Sequence, residues 1–154
     1  LMQTFLPYAD FKESFDVLDN KRLGKQRSET YHILNILLQR TEKKGYANHP
    51  IVHMWRGYEP ALQHYFNINT EVWLGRGFRH TMGYEIITED IRMPEWFGDK
   101  VFHATHRSNL LRKDSEYYSK FRWKESSDVP YVWLDPQREQ WFFIDGVSKK
   151  RVYI

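Results

Sequence analysis

The chain has 154 residues, 41% of them hydrophobic, enough for one domain with a real core and too few for two comfortable ones. It contains no cysteine, which excludes disulfides, thiolate zinc sites and cysteine nucleophiles together. The formal net charge is only +3, so a basic surface for nucleic acid has to be local, and no apolar run approaches the roughly 20 residues of a membrane span.

Residues 2–9 (MQTFLPYA) predict an extended entry closed by Pro7, and Leu1 ahead of Met2 is expected to be additional to the native start. No secretory leader is recognisable, and a cytoplasmic, intracellular home is expected. Asp10 or Ser14 caps a brief helical turn around Phe11, Phe15 and Leu18, and Asp19 caps the first long helix. That helix is predicted to end between Gln39 and Lys44, where charges and Gly45 break it. A tight connector, YANHP, follows, with His49 held extended by Pro50. The spacing of Val52, Trp55, Tyr58, Leu62, Tyr65, Phe66, Ile68, Val72 and Trp73 predicts two helical pieces, 51–57 and 59–75, stopped by Gly75-Arg76-Gly77. Residues 81–91 read as a helix or an irregular turn, and 94–98 as a loop with two aromatics. A helix over 102–113 and a turn around Tyr117, Tyr118 and Phe121 come next. After Trp123 the chain reads as a loop, and then EQWFFID and KKRVYI alternate as strands around Asp145-Gly146. The whole describes a mainly α, compact single-domain helical bundle over 1–154, with a loop and a small C-terminal β-hairpin in 124–154.

The most informative stretch is LDNKRLGKQRSET at 18–30. Lys21, Arg22, Lys25 and Arg27, with Lys12 further back, surround the carboxylate of Glu29. At about 100° per residue Arg22, Lys25 and Glu29 fall on one narrow helix face, while Leu23, Thr30, Leu34 and Leu37 fall on another. A glutamate fixed among cations suits an enzyme that binds a polyanion and acts on something carried by it. The plain alternative is a solvated face of ion pairs worth about 0.2–0.5 kcal/mol each. His103, His106, Arg107, Arg112 and Lys113 share a later helix and are expected to form a second wall of the same positive groove, against the alternative of scattered surface charge.

Seven histidines include the pairs His49/His53 and His103/His106, spaced for one helical face. Neither pair has an acidic ligand in register, so they are read as hydrogen-bonding or phosphate-contacting groups, with no metal and no cofactor expected. There is no Gly-rich phosphate loop, no G-x-S-x-G and no H-E-x-x-H. GRGFR at 75–79 is too short for a nucleotide cradle and reads as a helix stop presenting Arg76 and Arg79. Aromatic residues make up 17% of the chain and, interleaved with cations, suit base stacking as well as core.

Four ordered motifs, LDNKRLGKQRSE, YANHP, EVWLGRGF and PEWFGDKVFHATHRSNLLRKDSEYY, resemble the pyrimidine-dimer DNA glycosylase family over about residues 2–123. The resemblance implies an α-helical domain that flips a nucleotide out of double-stranded DNA and cleaves its glycosidic bond without metal. It implies an amine nucleophile at the N-terminus and a catalytic carboxylate, Glu29, with Arg22 and Arg27 as cationic neighbours and Lys21 and Lys25 on phosphate. Where the family sets an arginine next to its glutamate, Ser28 separates Arg27 from Glu29 here. The expected activity is a DNA glycosylase, with an abasic-site lyase step, for damaged or modified pyrimidines. The alternatives are a non-enzymatic nucleic-acid-binding module and a histidine-metal nuclease.

Overall fold

The computed structural model describes residues 2–43 and 45–154, so the expectation for Leu1 lies outside the described residues. Asp10 caps α1 (Phe11–Asp16) by accepting from the Glu13 amide at 2.8 Å, and Asp19 caps α2 (Asn20–Leu37) by accepting from Arg22 at 3.2 Å. The first long helix ends earlier than expected. Leu38 closes it, and Gln39 takes a left-handed φ of 56°, which no following turn can continue. Pro50 opens α3 (Pro50–Trp55) rather than merely bounding it, with the His49 imidazole accepting from the Ile51 amide. α4 (Glu59–Gly75) follows, and residues 81–91 form no helix, being held as an irregular strap by paired bonds between Asn67 and the Glu85 backbone.

α1 and α2 both pack on α4, and the aromatics do most of the filling. Phe11 and Phe15 lie 5.2 and 4.5 Å from the Tyr65 ring, and Trp55 lies 5.9 Å from it, all fully or nearly fully buried. α5 (Lys100–Lys113), capped by Asp99, runs into α6 (Ser115–Tyr118) and a short 3-10 turn. The buried face of α5 is largely polar, including His103, Thr105, His106, Ser108 and Asn109. Its polar groups hold two segments far apart in sequence. Leu6 bonds to both histidines, while Ser108 and Asn109 bond to the backbone of 126 and 129.

The C-terminal hairpin is part of a three-stranded antiparallel sheet in the order β1 (Trp133–Asp135), β2 (Gln140–Ile144), β3 (Arg151–Tyr153). Trp133 faces Phe142, which faces Tyr153, and β1 packs against α3. β1 falls in a stretch read as loop because a three-residue strand behind Pro130 is too short to show alternation. No helix among the described residues is long and apolar enough to cross a membrane.

Trp73 of α4 packs against Gly24 of α2, where an added Cβ would stand 2.8 Å from its ring. Overpacking costs about 1–3 kcal/mol, against about 1 kcal/mol of helix propensity regained by alanine. Gly24→Ala is therefore expected to destabilise the protein by about 1 kcal/mol, read as a lower denaturation midpoint with an unchanged m-value.

Candidate active site and its cationic pocket

Residues 3–7 run as an extended strap against side chains from the interiors of α2, α4 and α5, and this strap builds the site. Gln26 on α2 clamps it from one side, accepting from the Phe5 amide at 3.0 Å and donating to the Gln3 carbonyl at 2.7 Å. The clamp brings the Gln3 backbone nitrogen to 3.4 Å from Oε2 of Glu29, three residues further along the helix. Lys25 Nζ lies 3.7 Å from the other carboxylate oxygen. Phe5, Lys21, Arg22, Lys25, Gln26, Glu29 and Lys113 line a pocket of about 330 Å³ around this carboxylate. Burial pushes the Glu29 carboxyl above its ordinary range, opposed by the Gln3 N–H and by Lys25.

The cations are fixed to different degrees. Arg22 is held 3.2 Å from Asp19. Burial works against the Asp19 charge, but hydrogen bonds from Tyr118 and Arg22 outweigh it and keep the carboxyl below its usual value. Lys113, the last residue of α5, comes across the pocket from α2. It is exposed overall, yet desolvation, followed by the nearby Arg22 and Arg112 charges, lowers its pKa. Four cations thus surround one partly sequestered carboxylate, an arrangement that attracts phosphate and stabilises positive charge on a bound sugar.

Several expected site residues go elsewhere. Arg27 projects away from Glu29, as two residues along a helix require, and stacks 4.3 Å over Trp73 with Nη1 2.6 Å from His80. His103 and His106 correct the expected second wall, because they are 4% and 0% exposed and their ring nitrogens bond to Leu6. Arg107 pairs with Glu125 at 2.8 Å and donates to the Pro7 carbonyl, and Arg112 donates to Ser127 and Asn109. Of the second wall, only Lys113 reaches the pocket lining. Among the described residues no group of three or more His, Cys, Asp or Glu is arranged to hold a metal ion.

Gln26 was missed in the sequence, although it left a signal. It shares the helix face of Leu23 and Thr30, and a polar residue inside an apolar stripe needs a partner. Size alone points away from Glu29. A larger concavity, about 770 Å³ between α3, residues 95–99 and the sheet, mixes His53 and Arg56 with Glu95, Asp99 and Glu139 and gathers no comparable positive charge.

A family model described as pyrimidine dimer DNA glycosylase matches residues 2–86. The chain belongs to the pyrimidine dimer DNA glycosylase family, and DNA is the substrate that this family implies. No curated protein and no solved structure matches it significantly. The match includes the strap and Glu29 but stops short of residue 123, leaving α5, Lys113 and the sheet outside it.

Lys21→Ala and Lys113→Ala are each expected to weaken binding to undamaged and damaged duplex alike, and to lower the salt slope of log K by about one unit. Arg112→Ala should instead lower the melting temperature and leave that slope in place. Titrations at several salt concentrations, with thermal melts alongside, check both.

Proposed function

We propose that the protein is a metal-independent DNA glycosylase that flips a damaged or modified pyrimidine nucleotide out of duplex DNA and breaks its N-glycosidic bond at Glu29. The observation that carries this reading is the half-sequestered Glu29 carboxylate set among Lys21, Arg22, Lys25 and Lys113 beside the Gln3 backbone nitrogen. A module that only bound nucleic acid would lose affinity by keeping a carboxylate in its phosphate site. In an enzyme the same carboxylate stabilises the oxocarbenium-like sugar and accepts a proton from the attacking group. The cations hold the flanking phosphates and help offset the few kcal/mol that flipping costs. The histidine-metal alternative finds no support, since no group of three or more His, Cys, Asp or Glu among the described residues is arranged to hold a metal ion.

Glu29→Gln is expected to leave folding intact, to bind DNA at least as tightly, and to lower base release by orders of magnitude. Duplexes carrying ultraviolet photoproducts or modified pyrimidines, incubated with EDTA, provide the assay. A variant with normal rates on the true substrate would remove Glu29 from the mechanism. Because burial raises its carboxyl, and the ionised form is the active one, activity should fall with decreasing pH through a value above the ordinary glutamate range. The Gln variant should lack that acid limb in its residual rate.

The lyase step we assign to an amine that attacks C1′ as the bond to the base breaks, giving an imine on the opened sugar. A chain beginning at Gln3 would bring its α-amine to where the peptide nitrogen lies 3.4 Å from Glu29. With a pKa of about 7.7–8.0, such an amine is partly neutral at working pH. Each extra residue moves the terminus by up to about 3.5 Å. Borohydride trapping on an abasic duplex should therefore give more covalent adduct with a protein starting at Gln3 than with the chain carrying Leu1 and Met2. Equal trapping by both would transfer the role to a lysine of the pocket.

A further inference from the structure

Of the residues lining the Glu29 pocket, Phe5 comes from the strap, five come from α2, and Lys113 alone comes from α5. A group bound in this space of about 330 Å³ therefore has Glu29 on one wall and Lys113 on another. The volume falls within the roughly 300–1,000 Å³ of small-molecule sites, room enough for a sugar. The other cations are less able to hand over a proton. Lys25 faces Glu29 at 3.7 Å, and Arg22 is bonded to Asp19 at 3.2 Å and keeps its guanidinium protons at any working pH. Lys21 precedes Glu29 on the helix by about 12 Å of axial rise. Among the described residues no carboxylate closes an ion pair with Lys113.

The surroundings of Lys113 favour giving its proton up. Desolvation acts first against the ammonium, followed by the Arg22 and Arg112 guanidiniums. The Glu29 carboxylate works the other way, Lys25 adds to the lowering, and the balance leaves the amine below its ordinary range. Glu29 is displaced in the opposite sense, its carboxyl raised by burial. A carboxylate that takes a proton more readily and an ammonium that gives one more readily thus stand on two walls of one pocket. That is the arrangement needed to move one proton off a bound group and another onto it.

We infer that Lys113 is the general acid of the lyase step, giving its proton to the sugar ring oxygen, O4′, as the ring opens. This rests on the glycosylase and lyase reading above and adds a residue to it. The neutral amine attacks C1′, the electron pair of the C1′–N1 bond leaves with the base, and Glu29 takes a proton from the nitrogen now bonded to C1′. That nitrogen's lone pair then forms the C=N bond while the pair of the C1′–O4′ bond moves onto O4′. The oxygen takes the Lys113 proton and becomes a hydroxyl, where without an acid it would have to leave as an alkoxide. Lys113, left as a neutral amine, regains a proton from water, to which it is exposed. An ammonium carries three N–H donors, so one can rest on a flanking phosphate while another reaches O4′. Lys113 lies outside the residues matched by the family model, and the assignment comes from where α5 ends.

Lys113→Arg tests this, because a guanidinium keeps the positive charge on phosphate but does not release its proton. Lys113→Met, which keeps most of the stem and drops the ammonium, is the second variant. Base release and borohydride-trapped adduct are measured together on one lesion-bearing duplex, in single turnovers with the full chain in saturating excess. In both variants the adduct is expected to fall at least tenfold relative to base release. Wild-type adduct formation should decline as pH rises through a value below the ordinary lysine pKa of about 10.4, as Lys113 loses its proton, and Lys113→Arg should lack that alkaline limb. An unchanged ratio of adduct to base release in Lys113→Arg, or the same alkaline limb in both proteins, would overturn the assignment. So would adduct that peptide mapping places on Lys113, which would then be the nucleophile, or a lower melting temperature matched by equal loss of both yields, which would make Lys113 structural. Base release without adduct in the wild type removes the lyase step and this role with it, whereas no base release from any duplex removes the glycosylase reading itself.

Discussion

An extended segment that belongs to no sheet has to find a partner for each peptide group it buries, and this protein buries residues 3–7 that way. The partners are side chains: Glu29 and Gln26 from α2, Tyr65 from α4, and His103, His106 and Arg107 from α5. Trp55 of α3 adds its indole N–H to the Thr4 hydroxyl at 3.0 Å. Four helices are thereby set in position by one strand. An unmade bond of this kind costs about 1–3 kcal/mol, so the polar faces of α2 and α5 are as much a part of the core as the aromatics beside them.

The same arrangement explains how α2 presents two different cationic faces. Lys21, Arg22 and Lys25 fall with Glu29 on the face beside the strap, where the pocket opens. Arg27 falls on the opposite face and is spent on Trp73 and His80. About half a helical turn therefore separates cations available to a polyanion from one that fixes the α2–α4 contact.

Much of this was legible in the chain. The caps at Asp10 and Asp19, the helices around Pro50 and Pro60 and the common face of Arg22, Lys25 and Glu29 follow from local spacing, and local spacing is what helix geometry preserves. His103 and His106 were misread because periodicity places a side chain on a face without saying what covers that face. Arg107 and Arg112 failed for the same reason, since Glu125 and the 126–129 backbone that engage them lie in a stretch with no regular pattern. Gln3 and Tyr131, whose side chains meet, are 128 positions apart in the numbering of the chain, a juxtaposition that only tertiary structure creates.

The strap also dictates when the site can exist. Leu6 is bonded to His106 and Pro7 to Arg107, each across 100 positions of sequence. Closing so long a loop is entropically slow, and it cannot begin on the ribosome until α5 has left the exit tunnel. During synthesis the carboxylate on α2 stands on a helix whose neighbouring strand is still unanchored. A nascent chain therefore carries Glu29 and its cations long before it can hold them in this arrangement, and the pocket stays unassembled until α5 has been made.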